Sequence, residues 1–380
     1  MIQLEGGPLA KLPRGTIGKR ERYRLGSLVA SYPVQRAPRI RRVYRSVANI
    51  RGLSRRRSLV VLGAVCAAPA VVPARGRAQT ALPDKPLRIL VGFAAGGGAE
   101  LIARAIAPQL ELRIGRRVAV HNMRSVADAA AGEIFRRDLS LGSVVAFLPS
   151  TTLASKLAGT AFPFDSQSDL VPLTVAGTFQ IATAVSPGTG VSTFAEYVAW
   201  LKAGPPSRAR LGTTTTDAYL KIYSMMMGRE IGLDLEDVPH RGASRLVAAL
   251  KADRIPAGLG SVATLMQHNY DRRVKILVTS GRARVSVLPG VPTVADAGYP
   301  SLQLEEWYGF FASSTSPLPA LAEWNRQLRA VLAEGEVIAA LAQLGLDVET
   351  STQEEAAVRV AAHLRAWRAR MESFGIKPAR

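Results

Sequence analysis

From residue 87 onward, short runs of β-branched and apolar residues alternate with longer stretches of helical periodicity. Leu87–Phe93 is such a run. It is followed by Ala94–Ala95–Gly96–Gly97–Gly98 and then by a pattern from 99 to 112 in which Leu101, Ile102, Ala105, Ile106 and Leu110 recur near helical spacing. This order predicts strand, glycine turn and helix, with Gly115 placed where a left-handed C-terminal cap belongs. The alternation continues with strand 117–121, helix 126–137, strands 143–148, 171–175 and 180–185, and helix 193–203. A second unit repeats it: strand 209–212, helix 217–229, strand 234–238, helix 243–252, strand 256–260, helix 262–269 and strand 274–279. Beyond a turn-rich stretch, 306–312 reads as a strand, and 318–333, 336–343 and 352–373 as helices. Met225–Met226–Met227 fall on a predicted helix and read as packing with one exposed member. Two α/β units are implied, and the absence of a repeat of 20–50 residues argues against a solenoid.

The first 78 residues obey a different rule. The chain of 380 residues has 49 Lys plus Arg against 29 Asp plus Glu, a formal net charge of +20. Residues 1–78 hold 17 of those bases and only Glu5 and Glu21 as acids, so the body carries about +5. Arg55–Arg56–Arg57 precede an uncharged run from Leu59 to Val72, and Gly76–Arg77–Ala78 follows. The run is shorter than the ~20 residues a membrane span needs, and it fits the apolar region of a signal peptide over 55–78, cleaved after Ala78. A short buried helix is the competing reading. Ser54–Leu59 is similar to a twin-arginine export signal, and a polybasic general secretion signal fits as well. Residues 1–54 form a basic extension without hydrophobic period, which reads as an overextended start rather than a nucleic-acid arm. The expected location is the periplasm, and no nucleic acid is expected as a partner.

Cys66, the one cysteine, lies inside the signal region, so the exported chain has no disulfide, thiol nucleophile or cysteine metal site. A lipid anchor there is disfavoured because Val65 stands where a small residue is needed. The four histidines, His121, His240, His268 and His363, lack metal-ligand spacing, and no G-x-S-x-G elbow is present. No cofactor and no catalytic residue are expected. The candidate chemistry lies in turns that face helix starts: Gly96–Gly98, Ser150–Thr151–Thr152, and Thr213–Thr214–Thr215–Thr216–Asp217. Each can present free amides and hydroxyls to an anion, or can simply be a structural turn or N-cap. The glycine spacing is not that of a nucleotide fingerprint.

Five stretches in order carry a family likeness: Pro86–Gly98, Val238–Pro239–His240–Arg241–Gly242–Ala243, Leu288–Gly298, Trp307–Ala312 and Phe374–Pro378. Over about 83–378 the chain resembles the Bug family, periplasmic solute-binding proteins of tripartite tricarboxylate transporters. The resemblance implies a two-lobed α/β periplasmic-binding-protein fold of type II with crossover strands. It places lobe 1 at 79–185 and 300–380 with the C-terminal helices, and lobe 2 at 186–299. It further implies a monomer that holds a small carboxylate in the cleft and hands it to membrane permease subunits. Carried over by position, the ligand contacts are Phe93, Ala94, Ala95, Gly96, Gly97, Gly98 and Glu100, then Ser150 to Thr152, Thr213 to Asp217, and His240, Arg241 and Gly242. The chain departs from the family pattern at Thr213–Asp217, at His240 in place of Tyr, at Met123–Asp128 and at Pro256.

Those departures bear on the ligand. Glu100 and Asp217 fall in the first turns of helices, where they either neutralise the helix dipole or face the cleft and oppose a second carboxylate. In the second case His240 and Arg241 would hold one carboxylate, Arg241 with a bidentate contact, and an ammonium would be welcome, so the expected ligand is a small organic acid or a zwitterion rather than a tricarboxylate. A sensor that presents its ligand to a two-component receptor and an exported α/β hydrolase are the alternative functions.

Overall fold

The computed structural model describes residues 81–379 apart from 94, 124–136, 140–141, 161–167 and 214–217. The expected signal peptide and basic extension, and helix 126–137 except for its last residue, therefore lie outside the described residues. Chain order within them is β1 (Leu87–Val91), α1 (Gly98–Ile114), β2 (Val118–Asn122), β3 (Val144–Pro149), α2 (Ser150–Leu157), β4 (Leu170–Phe179) and β5 (Ile181–Val185). There follow α3 (Phe194–Lys202), β6 (Arg210–Thr213), α4 (Ala218–Ile231), β7 (Glu236–Pro239), α5 (Ala243–Lys251), β8 (Ala257–Ser261), α6 (Val262–Tyr270) and β9 (Lys275–Thr279). The chain ends with β10 (Glu306–Ser313), α7 (Leu318–Leu332), α8 (Gly335–Ala342) and α9 (Gln353–Ser373).

These strands make two five-stranded sheets, ordered β2-β1-β3-β10-β4 and β7-β6-β8-β5-β9. Each has a parallel trio and one strand inserted antiparallel from the other half of the chain: β10 in the first sheet and β5 in the second. The two sheets thus share one pattern, second-first-third-insert-fourth, and the expected two-lobed α/β fold with crossover strands is present. The first crossover runs through Gln180. Strand β5 pairs with β8 and β9, which moves the lobe boundary expected at 185 back to Gln180. An apolar run from Ile181 to Val185 cannot reveal which sheet it joins, because all of its positions are buried.

Local sequence explains the helices that frame the lobes. In α1, Ala99, Ile102, Ala103, Ile106, Ala107 and Leu110 form a buried stripe at i, i+3 and i+4 spacing, and Gly115 closes the helix at φ 71°. Leu101, expected on that stripe, is instead exposed. The capping box of α9 is complete: Thr352 Oγ1 accepts from the Glu355 amide at 3.1 Å and Glu355 returns the bond to the Thr352 amide at 2.8 Å. Met226 and Met227 are fully buried on α4 and Met225 is partly exposed, as expected. Ser150–Leu157, read from sequence only as a polar turn, is a helix whose Leu153 and Ala154 are buried. No helix among the described residues is long and apolar enough to cross a membrane.

The Gly177 position on β4 tests this packing. It has φ 146°, and a Cβ there would stand 2.5 Å from the Asp347 carbonyl oxygen, beside the Thr178–Asp347 bridge that ties β4 to the loop before α9. Gly177→Ala should lower stability by roughly 1–3 kcal/mol, read as a lower urea midpoint at unchanged slope.

Candidate functional site

In an open α/β sheet a crevice forms at the carboxyl ends of the strands where neighbouring connections depart to opposite faces. Each sheet here has one such point, because β1 lies between β2 and β3, and β6 lies between β7 and β8. The expected turns fall at these ends. Phe93–Gly98 follows β1, Ser150 follows β3, Thr213 ends β6, and His240–Gly242 follows β7.

At the first point the protein already engages part of the glycine turn. The Gly96 amide donates to Glu100 Oε2 at 2.6 Å, and Arg104 Nε donates to Glu100 Oε1 at 2.8 Å. Glu100 is 8% exposed, so its carboxylate sits on the helix start, where dipole and amide favour it. Gly98 donates from its amide to Thr264 Oγ1 at 3.1 Å, across to lobe 2. Thr264 Oγ1 lies 2.9 Å from Ser261 Oγ, which also caps α6 by accepting from the Thr264 amide. The Tyr308 hydroxyl joins the same group through Ser261, and burial pushes this phenol upward so that it stays protonated. A Cβ on Gly98 would come within 2.6 Å of Ser261 Oγ and 3.2 Å of Tyr308 Oη, and one on Gly96 within 2.7 Å of Ser244 Oγ. Only glycine permits so close an approach of the two lobes here. Phe93 is half-buried, and its carbonyl accepts from Asn122 Nδ2 at 3.2 Å. Ala95 is exposed and Gly97 half-buried, while Ala94 lies outside the described residues.

The turn after β3 uses its residues unequally. Ser150 is fully buried: its hydroxyl donates to Glu306 Oε2 and accepts from the Trp307 amide at 3.0 Å. Thr151 is half-buried and gives its carbonyl to Ser155 Oγ at 2.9 Å. Thr152 is buried, and its hydroxyl finds no hydrogen-bond partner among the described residues. His363 Nε2 donates to the Ser150 carbonyl at 3.2 Å. The carboxylate therefore meets the serine hydroxyl and the imidazole meets the serine carbonyl, the reverse of the order in which a base activates a serine.

On lobe 2, Thr213 is buried at the end of β6 and bonds through its side chain to Asp237 of β7. Burial raises the Asp237 carboxyl above the usual range, against the Thr213 hydrogen bond and the charges of Lys221 and His240. His240 donates from Nδ1 to the Val238 carbonyl at 2.8 Å, leaving Nε2 for other partners. Arg241 is exposed and makes no ion pair among the described residues, and Gly242 starts α5 at φ 93°. Thr214, Thr215, Thr216 and Asp217 lie outside the described residues.

Sequence reasoning missed Ser261, Thr264 and Glu306. A signal existed for two of them: Ser261 stands at the N-cap between a glycine-rich strand and a helix, and Glu306 continues the alternation of buried Leu302 and Leu304 while Glu305 is exposed. Among the described residues no group of three His, Cys, Asp or Glu side chains is placed to hold a metal.

Comparison with known proteins bears on the fold and the family. A chain described as a UPF0065 protein in the tcbD-tcbE intergenic region of Pseudomonas sp. strain P51 is 27% identical over 301 residues, covering 78% of this chain and 88% of its own. BugT of Bordetella pertussis is 24% identical over 331 residues, covering 84% and 98%. Among solved structures, the periplasmic binding protein BugD superposes with a TM-score of 0.70 at 18% identity, covering 78% of this chain and 99% of its own. MatC from Rhodopseudomonas palustris with bound malate gives 0.69 at 19% identity, covering 76% and 99%. An R. palustris protein with adipate gives 0.69 at 18%, covering 78% and 99%. The model of the tripartite tricarboxylate transporter family receptor matches residues 102–376, and the chain belongs to that family of periplasmic solute-binding proteins.

Proposed function

We propose that this protein is exported to the periplasm, captures a small organic carboxylate between its two lobes and delivers it to the membrane subunits of a tripartite tricarboxylate-type transporter. The observation that carries the reading is the pairing of the two crevices: the Gly98 amide of one lobe reaches Thr264 of the other at 3.1 Å, so the helix starts of both lobes converge on one place. Amides and hydroxyls at helix N-termini suit an anion. A single chain supplies both halves, consistent with action as a monomer. Malate in MatC and adipate in its R. palustris counterpart support the ligand class. The case for a zwitterion is weaker, since Glu100 is neutralised by Arg104 and the Gly96 amide. The reading assigns no chemical step to the chain.

Two outcomes are expected. Calorimetric titration of residues 79–380 with mono-, di- and tricarboxylates should find at least one that binds, and Gly98→Ala should weaken that binding at least tenfold because its Cβ would meet Ser261 Oγ at 2.6 Å. A folded chain that binds none of them would overturn the reading. N-terminal sequencing of periplasmic material should begin at or within a few residues of Gln79, whereas recovery of intact 1–78 on a cytoplasmic protein would refute export.

A further inference from the structure

One buried carboxylate has no part in the ligand contacts outlined above. Glu306 opens β10 at 0% exposure and is ringed by donors. Oε1 accepts from Tyr219 Oη at 3.1 Å and from Trp367 Nε1 at 3.0 Å. Oε2 accepts from the Ser150 hydroxyl, and His363 Nε2 stands 3.6 Å away. The four neighbours come from three helices. Ser150 starts α2, Tyr219 lies in the first turn of α4, and Trp367 and His363 lie on α9. Burial, and then the Glu306 charge, hold the Tyr219 phenol well above its ordinary range, so it remains a donor.

A carboxylate in such a place is a poor device for stability alone. Its desolvation is costly, and an apolar residue of similar volume often serves a folded protein as well or better. Glu306 also sits in a strand whose other positions are all buried, where an aliphatic side chain would continue the pattern. What the carboxylate adds is direction: it fixes the first turn of α2 from lobe 1 and the first turn of α4 from lobe 2 against a single atom group on the returning crossover strand. Those are the turns that carry Ser150–Thr152 and that follow Thr213–Asp217.

We propose that Glu306 is the positioning residue of the binding cleft, setting the helix starts of the two lobes, Ser150 of α2 and Tyr219 of α4, against each other. This rests on the reading of those turns as ligand contacts. Trp367 can only donate, so in Glu306→Gln the amide oxygen must stay toward Trp367 and the amide nitrogen must face Ser150 and His363. The Ser150 hydroxyl then loses its acceptor, and the damage falls first on α2.

The test is hydrogen–deuterium exchange on the chain without added ligand, together with titration by malate and adipate. In Glu306→Gln, peptides covering 150–157 should exchange at least about tenfold faster, while the amides of α7 keep their wild-type rate. Tyr219→Phe should do the same over 218–223 with α2 nearly unaffected, and it keeps the proposal testable if the glutamine variant fails to fold. Malate or adipate affinity, where the wild type has it, should fall at least tenfold in both variants. Uniform acceleration across α7 as well, or wild-type exchange at both turns, would overturn the proposal and reduce Glu306 to a general packing contact. Local acceleration with carboxylate binding absent from the wild type would leave the positioning role standing and remove the carboxylate reading instead.

Discussion

Strand β10 is formed from residues 306–313, after the whole of lobe 2, yet it lies inside the first sheet between β3 and β4 with every residue buried. Lobe 1 therefore cannot complete its sheet until the chain has made lobe 2 and returned. The returning strand places three buried groups at alternate positions. Glu306 gathers the helix starts, Tyr308 reaches Ser261 of the other lobe, and Phe310 packs on Phe147 with ring centroids 4.7 Å apart. Tyr308 is itself stacked between Phe147 at 5.2 Å and Phe179 at 4.3 Å, so its hydroxyl is aimed by rings on both neighbouring strands.

Electrostatics at the cleft follows from how its donors are shared. The Gly96 and Gly98 amides meet Glu100 and Thr264, partners of different kinds. Glu100 is held on its own helix by Arg104 and can persist whatever the cleft contains. The Thr264 hydroxyl belongs to the other lobe, so that bond exists only while the lobes are together. In the binding mode proposed above, a ligand carboxylate would compete for the interlobe bond rather than for the Glu100 contact, because the latter is charge-assisted and local.

Much of the architecture was legible because parallel strands buried on both faces read as apolar runs, and the helices between them have clear periods and caps. The family likeness was legible through Leu288–Gly298 and Trp307–Ala312, where turn chemistry and a buried strand constrain the residues tightly. Less was legible where two elements from distant parts of the chain meet. Ile181–Val185 has the same apolar pattern whichever sheet it joins. Ser150–Thr151–Thr152 are weak helix formers, so the helix that begins there is decided by Leu153 and Ala154 packing inward. Glu306 is polar at a position where the strand pattern calls for an apolar side chain, and its role depends on Tyr219 and Trp367, 87 and 61 residues away in sequence. No local rule connects them.

The two crossovers also determine how the lobes can move. Gln180 donates to the Ala283 carbonyl at 2.9 Å and accepts from the Gly281 amide at 3.1 Å, while Ser280 Oγ accepts from the Ile181 amide at 3.0 Å and donates to the Leu304 carbonyl at 2.7 Å. These bonds tie the first crossover to both ends of the second. Independent sliding of the two segments would break several buried hydrogen bonds at once, whereas bending them together breaks none. Domain closure of the hinge type, absorbed by a few backbone torsions around Gln180 and Ser280, is therefore the motion this connection favours over shear. Tyr223 Oη donates to the Leu302 carbonyl at 3.0 Å and Tyr219 binds Glu306 four residues further on, so α4 rides on the second crossover at two points. The start of α4 is thereby held to the second crossover and follows any movement of it.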